Sequence, residues 1–158
     1  MFESFFGLPL HPLVVHATVV FVPAAVLAVL LAACWPRFRR WAGPAPLVLA
    51  VISLVLVPIS TQSGEALEHA LPHDDLIEKH SQYADGLLPW VGGLTLVAFG
   101  LWWWMRSQRP TPGRFARLSE WLVVVLAVSA VVVSAGTIVQ VILIGHSGAA
   151  AAWAGVTV

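Results

Sequence analysis

Four apolar runs, each long enough to cross a lipid bilayer, constrain this chain more than any other feature of its sequence. They cover about residues 13–34, 45–61, 87–105 and 121–145. Roughly 20 apolar residues in a helix span the ~30 Å hydrocarbon layer. Inside that layer only a helix or a closed barrel satisfies its own backbone. The second run is the shortest, and Thr61 to His69 offers a helical continuation into the headgroups; the fourth is long enough to tilt. Charged residues make up 10% of the chain, against about 25% in a soluble domain. So few charges cannot clothe a water-facing surface. The expected fold is all-α: an integral membrane four-helix bundle, one transmembrane domain over 1–158 with the lipid bilayer as its first partner.

The charges also sort by side. Arg37, Arg39 and Arg40 lie between the first two runs, and Arg106, Arg109, Arg114 and Arg117 between the last two. Glu3, Glu65, Glu68, Asp74, Asp75, Glu78 and Asp85 lie at the opposite end, and only Lys79 and Glu120 break the separation. Basic loops stay in the cytoplasm. The expected topology is N-out/C-out, with the termini and the 61–86 loop on the extracytoplasmic side of a bacterial cytoplasmic membrane. Tryptophans 35, 41, 102, 103, 104 and 121 fall at the basic end and Trp90 and Trp153 nearer the other, the pattern of interfacial anchors. The first residues, Met1 to Phe6, carry no basic group, so the first run is expected to be a retained helix rather than a signal peptide. The formal net charge is zero, which leaves no basic patch for nucleic acid, and Cys34 is the only cysteine, which excludes an intrachain disulfide and any CxxC motif.

Asp75-x-x-Glu78 resembles a capping box with Asp in place of Ser or Thr. It predicts that helix three begins near Leu76, outside the hydrocarbon, with His80 on its second turn. Pro112-Gly113 marks the loop before helix four. Pro23, Pro58 and Pro89 are expected to kink their spans. The two helix pairs share a plan, with a histidine near the outer start and another near the outer end, which suggests a parallel two-fold repeat.

All six histidines (His11, His16, His69, His73, His80 and His146) fold to the acidic end. Imidazole is the commonest metal ligand and also holds heme iron, and helix bundles build such sites from inward-facing side chains. His16 lies about one turn inside the first apolar run, where an ionisable group is costly and functional by default. His16, His80 and His146, with His11, are the expected cofactor ligands. For a non-heme ion the expected set is His16, His80, His146 and Glu65. Each has a plainer explanation: His11 as an N-cap before Pro12, His16 as a hydrogen-bonder to a neighbouring helix, His80 as a solvated residue on an exposed turn, His146 as part of a flexible helix exit. His69 and His73 are separated by Pro72, which breaks their helical spacing. Gln140 is expected to bond across helices. Gly92, Gly93, Gly100 and Gly136 permit close packing or leave room for a macrocycle.

Gly7-Leu8-Pro9-Leu10-His11-Pro12-Leu13-Val14-Val15-His16, with Gln62-Ser63-Gly64-Glu65, His80, Gly145-His146-Ser147-Gly148-Ala149 and Trp153, resembles the domain of unknown function 2231 family of bacterial membrane proteins. The resemblance covers nearly the whole chain. It implies a four-helix membrane fold, and the fusion of some members to cytochrome c or Rieske modules implies a redox setting by association.

Three functions stay open on these residues. One is electron transfer by heme b, with the outer acids counting against heme propionates and only Lys79 in their favour. Another is a transition metal, copper, zinc or iron, which those acids would attract. The third is a cofactor-free structural or assembly subunit of a membrane complex. A redox partner or homo-oligomerisation accompanies the first two. A hydrolase is disfavoured, because no motif sets a nucleophile beside a base.

Overall fold

In the computed structural model the structure describes residues 4–5, 8–107 and 114–154, with side chains over 11–107 and 121–154. A short antiparallel pairing of β1 (Ser4–Phe5) with β2 (Leu8–Pro9) leads into six helices. These are α1 (Leu10–Cys34), α2 (Pro36–Ala42), α3 (Ala45–Glu68), α4 (Asp75–Asp85), α5 (Leu87–Ser107) and α6 (Arg114–Ala152). Four membrane-length apolar spans fall within them, over His11–Cys34, Ala45–Glu68, Asp75–Ser107 and Trp121–Ala152. The expected helical membrane bundle is what the chain forms.

The elements differ from expectation at their ends. Helix α1 begins at Leu10, so His11 already sits inside the first turn and is not an N-cap. Helix α3, by contrast, continues past Ser60 to Glu68 as expected, because Thr61 to Glu68 interrupts the apolar run without interrupting the backbone ladder. Helix α6 runs to Ala152, so His146-Ser147-Gly148 lies within it rather than on a flexible exit. Its 39 residues extend about 58 Å at 1.5 Å per residue, well beyond the hydrocarbon. Pro112-Gly113 lies outside the described residues.

The expected third helix is two. Asp74, in extended backbone, caps α4 by accepting the Leu76 amide on its side chain at 2.8 Å. The cap is therefore one residue earlier than the Asp75 pattern suggests. The helix stops at Gly86, and α5 restarts at once. Pro89 explains the break, since it has no N–H to give to the carbonyl of Asp85 and its ring crowds that carbonyl. Pro23 and Pro58 lie inside α1 and α3, and both helices continue through them.

Helices α1, α3, α5 and α6 close a ring in that order, with α6 returning to α1, and α4 packs on α6 and α3 at the acidic end. The basic half of the core is built from small side chains, among them Ala25, Ala32, Ala50, Ala98 and Ala130 around Val29, Leu94 and Leu101. The acidic half packs Val22, Val57, Leu87 and Val91. Between apolar helices in lipid there is no hydrophobic drive, so close packing and polar contacts hold the bundle. Among the contacts that cross it are those of Thr95 and Gln140. Thr95 donates to the carbonyls of Ala50, on α3, and of Val91. Gln140 donates to the Tyr83 carbonyl, as the sequence suggests. Val19, Val20, Leu27, Leu96, Val128 and Val132 face outward; an apolar surface this continuous belongs against lipid.

Gly93, Gly100 and Gly136 leave no room for a macrocycle. An added Cβ there would meet Val133, Leu126 and the Trp90 ring, the last far inside contact distance. They are contact points between α5 and α6. Gly92 meets nothing within 4 Å.

Candidate functional site

The acidic end of the bundle holds two imidazoles in matching surroundings. On α1, His11 places Nδ1 3.1 Å from the Ser60 carbonyl and 3.3 Å from Ser63 Oγ, both on α3. On α4, His80 places Nδ1 3.1 Å from the Ile144 carbonyl and 3.1 Å from Ser147 Oγ, both on α6. Each serine donates its own hydroxyl to the same carbonyl, Ser63 to Ser60 at 2.9 Å and Ser147 to Ile144 at 3.1 Å. The residue after each serine is a glycine facing the ring. A Cβ on Gly64 would lie 3.0 Å from His11 Cε1, and one on Gly148 would lie 3.0 Å from His80 Cε1. Carbonyl, serine three residues on, glycine next: the same clamp is built twice, once by α1 with α3 and once by α4 with α6.

The clamp fixes the tautomer. With the serine proton engaged by the carbonyl, both atoms facing Nδ1 are acceptors, so Nδ1 carries the hydrogen. Each Nε2 is then a free lone pair, the state in which imidazole ligates a metal, and a carbonyl on the opposite nitrogen is the usual orienting partner of such a ligand. Neither Nε2 has a hydrogen-bond partner among the described residues. Both rings are half-buried.

The remaining expected ligands fall elsewhere. His16 is exposed, with Nδ1 on the Pro12 carbonyl of its own helix. His146 and Glu65 are also exposed. His146 lines a groove between α4 and α6 with Lys79, Tyr83 and Ser147. Among the described residues, one group of three or more His, Cys, Asp or Glu brings its ligand atoms within 4.8 Å of one another, and it is His73, Asp75 and Glu78. His73 Nε2 stands 3.4 Å from Asp75 Oδ1 and 4.0 Å from Glu78 Oε2, all solvent-exposed. The structure therefore does not gather His16, His80, His146 and Glu65 into one ligand set. It gives His80 the buried partners that a solvated turn lacks, and those partners match the ones of His11. The signal for that match is the Ser-Gly dipeptide recurring at 63–64 and 147–148.

Four membrane-spanning helices with a histidine clamp built twice at one end define the chain as an integral membrane protein. It belongs to the DUF2231 family, described as predicted membrane protein, whose model matches residues 7–158. No curated protein and no solved structure matches it.

Proposed function

We propose that this protein carries electrons through heme b at the acidic end of the bundle, which His11 and His80 would hold. The observation that carries the reading is the duplicated clamp. Heme iron is held by protein side chains along its axis, neutral imidazole foremost among them, and this bundle presents two equivalent ones from different helices. A site of tetrahedral type needs three or four ligands, and the pair alone does not supply them. When bound, heme supplies one-electron chemistry; the chain's own part is to orient the two rings and keep Nδ1 protonated. Lys79, in the groove beside Ser147, is the cation suited to a propionate. The topology proposed with this reading is N-out/C-out in a bacterial cytoplasmic membrane, which places the clamps at the outer headgroup layer.

A non-heme transition metal is the second reading, favoured by the His73–Asp75–Glu78 group. One experiment separates the two. The full-length protein is expressed with a heme supply, purified, and read by absorption spectroscopy and metal analysis. A Soret band lost in both His11→Ala and His80→Ala, and kept in His16→Ala, is the expected result. Bound metal without a Soret band, lost in His73→Ala, supports the second reading. Neither cofactor leaves the protein a structural or assembly subunit.

A further inference from the structure

The end of the bundle opposite the histidines holds a charge that nothing among the described residues neutralises. Arg39 sits on α2, the short helix joining α1 to α3, and is only 7% exposed. Its neighbours Arg37 and Arg40 are exposed. One face of the guanidinium stacks on Trp104, with Cζ 4.7 Å from the ring centroid. Nη1 is buried and has no hydrogen-bond partner among the described residues. The ion pairs of the described residues all involve His73, at the other end of the molecule. Burial, and after it the charge of Arg40, lowers the Arg39 pKa from its ordinary value. A buried guanidinium without an anion is costly, and a buried donor without an acceptor adds to that cost.

What is missing has a place to enter. Arg39 lines a small open cavity with Ala32, Gly43, Pro46, Ala98 and Trp102. Ala32, Gly43 and Ala98 are small, Leu47, Leu101 and Met105 complete the lining, and together they leave the space beside the guanidinium unfilled. The depth is also informative. Trp35, Trp41 and Trp103 are exposed around this end, and exposed tryptophans mark the headgroup layer, where lipid phosphates lie. Basic pockets between membrane helices at that depth take phosphate headgroups, and the planar fork of Arg suits phosphate oxygens.

We propose that Arg39 and the cavity beside it form a phosphate-binding site at the basic end of the bundle, filled by an anionic lipid headgroup or by free phosphate. The site is independent of the histidine clamps and of any cofactor there. A single water is the competing occupant of so small a space; it would satisfy Nη1 and leave the charge unpaired.

The test uses full-length protein reconstituted with phosphatidylglycerol and phosphatidylcholine, then released into detergent and read by native mass spectrometry. Wild type is expected to retain phosphatidylglycerol. Losing a charged hydrogen bond of about 1.5–3 kcal/mol means Arg39→Gln should retain it at least about tenfold less well. Arg40→Gln, which removes an exposed charge, should retain it as wild type does. Displacement of the lipid by inorganic phosphate identifies a general phosphate site, and resistance to displacement identifies a lipid site; both uphold the proposal. No retention by wild type, or equal losses in Arg39→Gln and Arg40→Gln, overturns it and leaves water as the occupant. If Arg39→Gln does not fold, Arg39→Lys against Arg40→Lys decides in the same way, since lysine keeps the charge and loses the fork.

Discussion

Replacing Gly148 by alanine tests whether the clamp is packed as tightly as its geometry states. In a helix interior, alanine is normally better than glycine by about 0.5–1 kcal/mol, because glycine loses more backbone freedom on folding. At Gly148 the new methyl would lie 3.0 Å from His80 Cε1 and 3.2 Å from Nδ1. Carbon contacts are optimal at about 3.5–4.0 Å, so the ring must retreat by roughly half an ångström. That retreat lengthens two hydrogen bonds of 3.1 Å each. Overpacking of this kind costs about 1–3 kcal/mol. Set against the helix gain, Gly148→Ala should destabilise by about 0–2.5 kcal/mol, and Gly64→Ala, with its Cβ 3.0 Å from His11 Cε1, by a similar amount. Gly145, one turn away, meets nothing within 4 Å, and its alanine variant should be stabilised. The assay is reversible unfolding of the purified protein in mixed micelles. The sharper measurement is a cycle with His80→Ala. Once the ring is gone, Gly148→Ala should become as favourable as Gly145→Ala. If Gly148→Ala stabilises the unmutated protein as much as Gly145→Ala does, the tight clamp is refuted.

Removing the α4 cap with Asp74→Ala should cost about 1 kcal/mol and speed amide exchange at Leu76, with Asp75→Ala much milder; equal effects would contradict the capping geometry. Gly136→Ala should be among the most disruptive changes in the protein, since its methyl would fall within the Trp90 ring's own space; thermal unfolding of Gly136→Ala checks this, and a wild-type transition would rule the contact out. For topology, exposed Cys34 is first replaced by alanine. Cysteine at position 74 should then react with an impermeant thiol reagent in intact cells, while cysteine at exposed position 40 should not. Labelling at 40 alone would invert the proposed orientation.

The bundle is legible because hydropathy over about 20 residues swamps local detail. The α4 cap reads one residue late because Asp74 and Asp75 are adjacent acids of the same chemistry, and only backbone angles distinguish them: Asp74 is extended, while Asp75 is already helical. The histidines show where sequence depth misleads. His16 draws attention by lying deep in an apolar run, yet depth along a helix carries no direction. It lies five residues beyond His11, about 140° around the helix at 3.6 residues per turn. That rotation sends His11 to α3 and His16 outward. The same holds for the neighbours His146 and Ser147, of which only the serine faces the bundle. The carbonyls of Ser60 and Ile144 are backbone atoms, without signature in any residue type, so the two clamps emerge only when the helices are placed side by side.

The duplicated clamp bears on how such a chain enters a membrane. Helices α1 and α4–α5 both run from the acidic end to the basic end, and α3 and α6 both return. Each hairpin therefore carries its basic turn and its histidine with the same polarity, and obeys the same insertion rule without reference to the other. A single hairpin meeting a second copy of itself would face no conflict of sidedness, and would already bring two imidazoles to one side of the bilayer. Fusing two such copies changes the order of assembly, from an encounter between chains to a docking within one, and leaves each half free to diverge.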